Sequence, residues 1–348
     1  MPWGWRSSIG TVGTATTTQE AATPDTRGSG STPDTPDSGY CVTMASSTTQ
    51  SAAAAPPVTI VVADATSTAT APSAPRGGNN SPHAPRGRRE VLPAQRRGVI
   101  YSFVVGECHG FLTVGEYADG RPGEIFLNVA RDGSTLSGVM DAFAKALSHA
   151  LQYGVPLADL VATFRGTHFD PAGGTNDKDI PTATSLIDYV FSRLERSYSS
   201  RPASGATPYV SPSAVREPLP HARQCSTFSF KVGDCRGFLT AGEYPDGRLG
   251  EIFVNVSKEG ATLSGVMDAF SKTISHGLQY GVPLAAYVET YLNTKFEPAG
   301  LTDDPDVRLT GSLVDYIFRR LAISYLPEAE RRMMGLLTVT ERKAELSS

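Results

Sequence analysis

Cysteine is scarce in this chain: four in 348 residues, with no Cys-x-x-Cys pair. That excludes a disulfide scaffold and argues against a zinc ribbon. A basic excess is also missing. Thirty-one Lys and Arg face 35 Asp and Glu, a net charge of −4, which argues against a nucleic-acid partner. The apolar run Val58–Ala63 is too short for a membrane span, which needs about 20 residues. The opening MPWGWRSSIGTVG has one arginine and no apolar core, unlike a secretory signal. No HExxH, GxSxG, P-loop or GxGxxG pattern occurs. These absences point to a soluble protein of a reducing compartment, cytoplasmic and without membrane contact.

What is present is a duplication. GEYADGRPGEIFLNVARDGSTLSGVMDAFAKALSHALQYGVPL begins at Gly115, and GEYPDGRLGEIFVNVSKEGATLSGVMDAFSKTISHGLQYGVPL begins at Gly242. The offset stays constant from Arg89/Arg216 to Tyr198/Tyr325, without insertion or deletion. Over the better part of that span about three in five aligned pairs are identical, far more than a shared hydrophobic pattern requires. Each copy of about 110 residues is long enough for its own core, unlike a solenoid repeat of roughly 20–50. The gapless register predicts that the copies meet as an intrachain pseudo-dimer. Residues 1–88 are rich in Thr, Ser, Ala, Pro and Gly without apolar periodicity, so they are expected to be disordered and dispensable for folding. The remaining divisions are repeat 1 at 89–198, a Pro/Ser/Ala-rich linker at 199–215, repeat 2 at 216–326 and a charged tail at 327–348, read as a short helix over Glu328–Leu346.

Within repeat 1, Ser102–Val105 and Gly110–Val114 read as strands joined through Gly106–His109. Asp119-Gly120 and Asp246-Gly247 are hairpin-turn signals. In Glu124–Val129, alternation puts Ile125, Leu127 and Val129 on one face. The period then lengthens: Leu136, Val139, Met140, Phe143, Leu147, Ala150 and Leu151 follow helical spacing. Ser134 or Thr135 can cap that helix, and Gly154 suits the left-handed residue that ends it. Pro156 fits the first turn of a second helix, Leu157–Phe164. A polar loop over 166–182 precedes a third helix carrying Leu186, Ile187, Val190, Phe191 and Leu194. The fold class is therefore α+β, two homologous repeats of order β-β-β-α-α-α, each with helices on one face of a small antiparallel sheet.

Chemistry-bearing residues are few. His149 and His276 each follow a serine, but neighbouring helix positions diverge too far for a Ser-His dyad, so a helix-surface or subunit-contact histidine is expected. Glu124 and Glu251 lack companions at metal-ligand spacing and read as salt-bridge partners, as do Asp141 and Asp268. Arg121 and Arg248, in the hairpin turns, are candidate phosphate contacts or ordinary exposed turn arginines. Gln152-Tyr153 and Gln279-Tyr280, unchanged between copies, either bond a ligand or partner or satisfy the helix end and pack the turn. Arg86, Arg88, Arg89, Arg96 and Arg97 form a basic cluster, either a nucleic-acid or phosphate contact or a solvated linker lead-in; its partial recurrence at Arg216 and Arg223 suggests a structural lead-in belonging to each repeat. Cys108 and Cys235 read as small buried residues at one structural position.

The run Gly-Glu-Tyr-x-Asp-Gly-Arg-x-Gly-Glu-Ile-Phe-x-Asn-Val, then Thr-Leu-Ser-Gly-Val-Met-Asp-Ala-Phe, Leu-Gln-Tyr-Gly-Val-Pro-Leu and, in repeat 2, Phe-Glu-Pro-Ala-Gly and Ser-Leu-Val-Asp-Tyr-Ile-Phe-Arg, resembles a known domain. It is the TSCPD domain, the C-terminal extension of adenosylcobalamin-dependent (class II) ribonucleotide reductases. The resemblance covers 89–198 and 216–326. By name transfer it implies a ribonucleoside-diphosphate reductase, with a reductase catalytic subunit and a nucleotide as candidate partners. Adenosylcobalamin is implied for the related reductases and not for this chain alone. Those enzymes work through a ten-stranded barrel and often a cysteine-rich tail; here no segment is long enough for the barrel and no cysteine follows Cys235, so no catalytic, cofactor or metal residue carries over. Cys108-His109 and Cys235-Arg236 depart from the family's pattern. Two classes remain: an accessory or regulatory relative of the reductase, or an independent pseudo-dimeric module binding a small ligand or protein.

Overall fold

A computed structural model describes residues 88–129, 134–199, 215–257 and 260–347. The expectations for residues 1–87 and for most of the linker fall outside this set. Repeat 1 runs β1 (Arg97–Val105), β2 (Cys108–Glu116), β3 (Pro122–Val129), α1 (Ser134–Gln152), α2 (Leu157–Phe164), β4 (Gly173–Gly174), β5 (Thr182–Ala183) and α3 (Leu186–Tyr198). Repeat 2 follows with β6 (Cys225–Val232), β7 (Cys235–Glu243), β8 (Leu249–Val256), α4 (Ala261–Gln279), α5 (Leu284–Tyr291), β9 (Gly300–Leu301), β10 (Leu309–Thr310) and α6 (Leu313–Tyr325), then α7 (Glu328–Met333) and α8 (Val339–Leu346). The three long strands of each repeat form an antiparallel meander, β1-β2-β3 and β6-β7-β8.

Alternation decides the faces. Phe103, Val105, Leu112, Val114, Ile125 and Leu127 turn inward and are buried, while Ile100, Phe111 and Phe126 stand on the opposite, open face. The helices cover the inner face. Helix α1 is buried nearly all round, with Asp141 left outside to pair with Lys145 at 2.6 Å. Gly154 and Gly281 end α1 and α4 at φ of 86° and 88°, the left-handed conformation that a side chain would oppose. The buried side chains of both repeats form one continuous core rather than two, and α1 packs on α4 at its centre. Fully burying a residue such as Phe143 stabilises the fold by about 1.5–3 kcal/mol.

The outer edge of β3 is closed by a side chain. Ser148 of α1 accepts the Ile125 N–H at 2.9 Å and lies 3.2 Å from the Ile125 carbonyl. One turn on, Gln152 Nε2 donates to the Gly123 carbonyl at 2.9 Å. Repeat 2 does the same with Ser275 on Ile252 and Gln279 on Gly250. Edge groups that would otherwise pair with another strand are thereby satisfied.

Several expectations are corrected. The strands run longer than their apolar cores. Pro156 is the N-cap of α2, with extended ψ of 132°, rather than its first-turn residue. The loop over 166–182 contains the pair β4–β5, and Thr175 bridges to Val105. Helix α4 starts from Gly260 without a side-chain cap; the residues before Ser134 are outside the described set. The tail is two helices: the chain turns at Gly335, and Thr338 and Glu341 form a capping box that starts α8. Buried Arg331 grips Glu341 at 2.8 and 2.9 Å and donates to the Leu326 and Leu336 carbonyls. The Val339 N–H bonds Asp306, fixing the tail on repeat 2.

Candidate functional site

Four of the singled-out residues in each repeat belong to two different places. Arg121, Glu124 and Gln152 converge on the lead-in segment before β1. Arg89 Nε donates to Gln152 Oε1 at 2.7 Å, and the Glu90 N–H donates to the Gln152 carbonyl at 2.8 Å. Arg121 bonds Asp119 at 2.6 Å and Glu90 at 3.1 Å, with its guanidinium 4.7 Å from the Tyr117 ring centre. Glu124 pairs with Arg96. Repeat 2 reproduces each contact: Arg216 with Gln279, Arg248 with Asp246 and Glu217 over Tyr244, and Glu251 with Arg223. The basic lead-in is thus laced to its own repeat. Burial, with the Glu217 charge, pushes the Tyr244 phenol up to about 12.

Tyr153 and Tyr280 turn the other way, to the boundary between repeats. His149 and His276 are there too, both buried, which corrects the surface part of the expectation. His149 Nε2 lies 2.7 Å from Thr290 Oγ1 of α5, and His276 Nε2 lies 3.1 Å from Thr163 Oγ1 of α2. Each threonine gives its one proton to a backbone carbonyl, Thr290 to Ala286 and Thr163 to Asp159, both at 2.8 Å. With that proton on the carbonyl, the threonine oxygen is free to accept from the histidine, an arrangement that favours the Nε2–H tautomer of both imidazoles. Both Nδ1 atoms are buried without a hydrogen-bond partner. Burial first, then the Arg89 or Arg216 charge, depresses each histidine to about 4. Asp159 opposes this for His276.

The seam is not fully symmetric. Tyr280 donates to the Asp159 carboxylate, whereas the position matching Asp159 in repeat 2 is Ala286. Burial and this bond raise the Tyr280 phenol to about 12. Tyr291, where repeat 1 has Phe164, donates to the Ala142 carbonyl at 2.8 Å. Tyr287, where repeat 1 has Leu160, is buried with its hydroxyl unpartnered beside Gly277. Thr163, Thr290 and Asp159 were missed by sequence reasoning; the one available signal was that Thr163 and Thr290 are repeat-equivalent.

Phe169 of repeat 1 lies on Gly265, and Phe296 of repeat 2 lies on Gly138. Beside the first contact is an open cleft of 560 Å³, lined by residues that include His168, Phe169, Asp170, Thr184 and Asp268. A second hollow, 260 Å³, flanks β8. Among the described residues no group of three or more His, Cys, Asp or Glu converges to hold a metal ion. None of their helices is long and apolar enough to cross a membrane.

An α+β meander-and-helix unit, present twice and joined helix to helix, defines the class. The family model for the TSCPD domain matches residues 85–198 and 211–325, so the chain belongs to the TSCPD domain family. A vitamin B12-dependent ribonucleotide reductase of Streptantibioticus cattleyicolor is 54% identical over 134 residues, 38% of this chain and 22% of that protein. The protein of the same name from Streptomyces avermitilis is also 54% identical over 134 residues, 14% of its length. That from Rhodopirellula baltica is 46% identical over 111 residues, 32% of this chain and 11% of its own. The chain thus spans less than a quarter of the curated relatives it matches. No solved structure matches it.

Proposed function

We propose that this tandem TSCPD unit is an accessory or regulatory module in deoxyribonucleotide synthesis, related to the B12-dependent ribonucleotide reductases and acting through a separate catalytic subunit. The supporting observation is that both repeats match the family while the similar stretch is only a small part of each reductase. The geometry agrees: the polar residues that invited a ligand reading in each lead-in are engaged within their own repeat. The relatives' name implies adenosylcobalamin, but the 560 and 260 Å³ hollows are each too small to enclose it. Such volumes lie within or below the ~300–1,000 Å³ of sites for drug-sized ligands, and a corrin ring with adenosyl and nucleotide arms is larger.

The test adds the purified chain to a B12-dependent reductase from which its own TSCPD segment has been deleted. Co-elution and a changed rate of deoxynucleotide formation are expected, with no turnover by the chain alone. Failure to bind and to change the rate would remove the reading. Turnover by the isolated chain that disappears when its four cysteines are replaced would instead give it an active site of its own. A second reading, an independent binding module, is favoured by the paired phenylalanines on the open sheet faces.

A further inference from the structure

On the outer face of each sheet, away from the helices, both repeats keep two exposed phenylalanines on adjacent strands. Phe238 and Phe253 are 52% and 41% exposed, and their counterparts Phe111 and Phe126 are 51% and 42% exposed. In β7–β8, Phe238 faces Asn255 and Thr240 faces Phe253, so the two rings are diagonal neighbours. Large apolar rings kept exposed at the same place in both repeats are candidate contact surfaces.

The surroundings differ between repeats. Repeat 1 has Ile100, Val104 and His109 beside its rings; repeat 2 has Thr227, Lys231 and Arg236 at the matching positions. Lys231 lies directly opposite Arg236 across β6–β7, and Arg236 shares a face with Phe238 two residues along. Like charges directly opposite one another destabilise a strand pair. Among the described residues neither cation is in an ion pair with a carboxylate. Asp303 lies close but accepts the Lys231 backbone N–H at 2.8 Å. An anion over this end of the sheet would relieve the repulsion. At the other end, the 260 Å³ hollow beside Phe253 is lined by Thr240, Asn255, Ser264 and Asp268, all hydrogen-bonding side chains. It suits a flat polar ring rather than a whole drug-sized molecule.

We propose that the outer face of β6-β7-β8 binds single-stranded nucleic acid, with successive bases on Phe238 and Phe253 and the phosphates at Lys231 and Arg236. Exposed aromatics on neighbouring strands, flanked by cations, are what such binding needs, since bases stack on rings and phosphates need charge. The chain's net charge of −4 supplies no long-range attraction, so the contacts are local. An apolar protein surface would gain nothing from the cation pair.

Fluorescence anisotropy of labelled 12-mers of deoxythymidine and of uridine, with the full chain, tests this. Saturable binding of either is expected, weakening about sevenfold between 50 and 200 mM salt, as two phosphate contacts give. F238A and F253A should each weaken it on the order of tenfold with unchanged melting temperature, since both side chains are exposed. K231A/R236A should nearly abolish the salt dependence, while F111A leaves binding intact. Any of four results would overturn the proposal: no binding of either 12-mer at 50 mM salt, equal affinity for duplex, equal loss on F111A, or competition by thymidine monophosphate at equal nucleotide concentration. So would phenylalanine variants that alter only self-association in sedimentation.

Discussion

The ring of Phe296 fills the space that a Cβ on Gly138 would occupy, and Phe169 does the same to Gly265. Two repeats of one chain thus lock together by a ring on a bare helix backbone, twice. In an exposed helix Gly→Ala gains about 1 kcal/mol. Here the methyl meets a ring, and overpacking of this kind costs about 1–3 kcal/mol. Gly138→Ala is therefore expected to lower the urea midpoint. Adding Phe296→Ala should cost less in the Gly138→Ala background than in the native chain, a coupling read from a double-mutant cycle.

Gly277 and Tyr287 form a compensated pair within repeat 2, where repeat 1 has Ala150 and Leu160. Gly277→Ala should destabilise, because the new methyl collides with the Tyr287 hydroxyl. Tyr287→Phe should stabilise by about 1 kcal/mol, since it removes a buried hydroxyl that has no partner. Together the two changes should recover the native melting temperature or exceed it. Calorimetry of the three variants checks this.

Acid should loosen the seam. His149 and His276 are depressed from 6.5 to about 4, chiefly by burial, so the folded chain keeps them neutral where the unfolded chain protonates them. The unfolded state then binds more protons, and stability rises with pH. The contribution is complete above about pH 6.5 and is lost as pH falls toward 4. The loss is on the order of 2 kcal/mol for each histidine once solvent screening is allowed for. Urea midpoints between pH 7.5 and 5 should fall in the native chain, and H149Q/H276Q should flatten that slope.

The Tyr280–Asp159 bond has no symmetric twin, so matching substitutions should differ. Tyr280→Phe strands a carboxylate at the boundary and should cost about 1.5–3 kcal/mol. Tyr153→Phe, with Ala286 in place of the aspartate, should cost less than about 0.5 kcal/mol. Equal losses from the two changes would show that the bond contributes nothing.

Much of this architecture could be read from residue order alone. The Asp-Gly turns, the alternation in EIFLNV and the 3.6-residue spacing from Leu136 to Leu151 each report a local geometry, and each element stands where its pattern places it. What could not be read depends on partners distant in the chain. Periodicity says that one side of α1 is buried, but not that His149 meets Thr290 or that Gly138 meets Phe296. Gln152 shows the same limit, because a glutamine at a helix end looks alike whether it holds a ligand or, as here, bonds Arg89 and Gly123. The charged residues of the tail suit a helix throughout, so residue pattern alone reads one helix, whereas Gly335 and the Thr338 cap divide it into two.

Ser148 and Ser275 have a bearing on how such a chain could arise. Two similar sheets tethered by a short linker see each other at an effective concentration of order millimolar. Bare edges in that setting would tend to zip into one six-stranded sheet, or to exchange strands between molecules. With one hydroxyl at the Ile125 edge and another at Ile252, each sheet enters the tandem already closed on that side. Duplication could then occur without a register competition between old and new strands, which left the helices as the surfaces through which the halves joined.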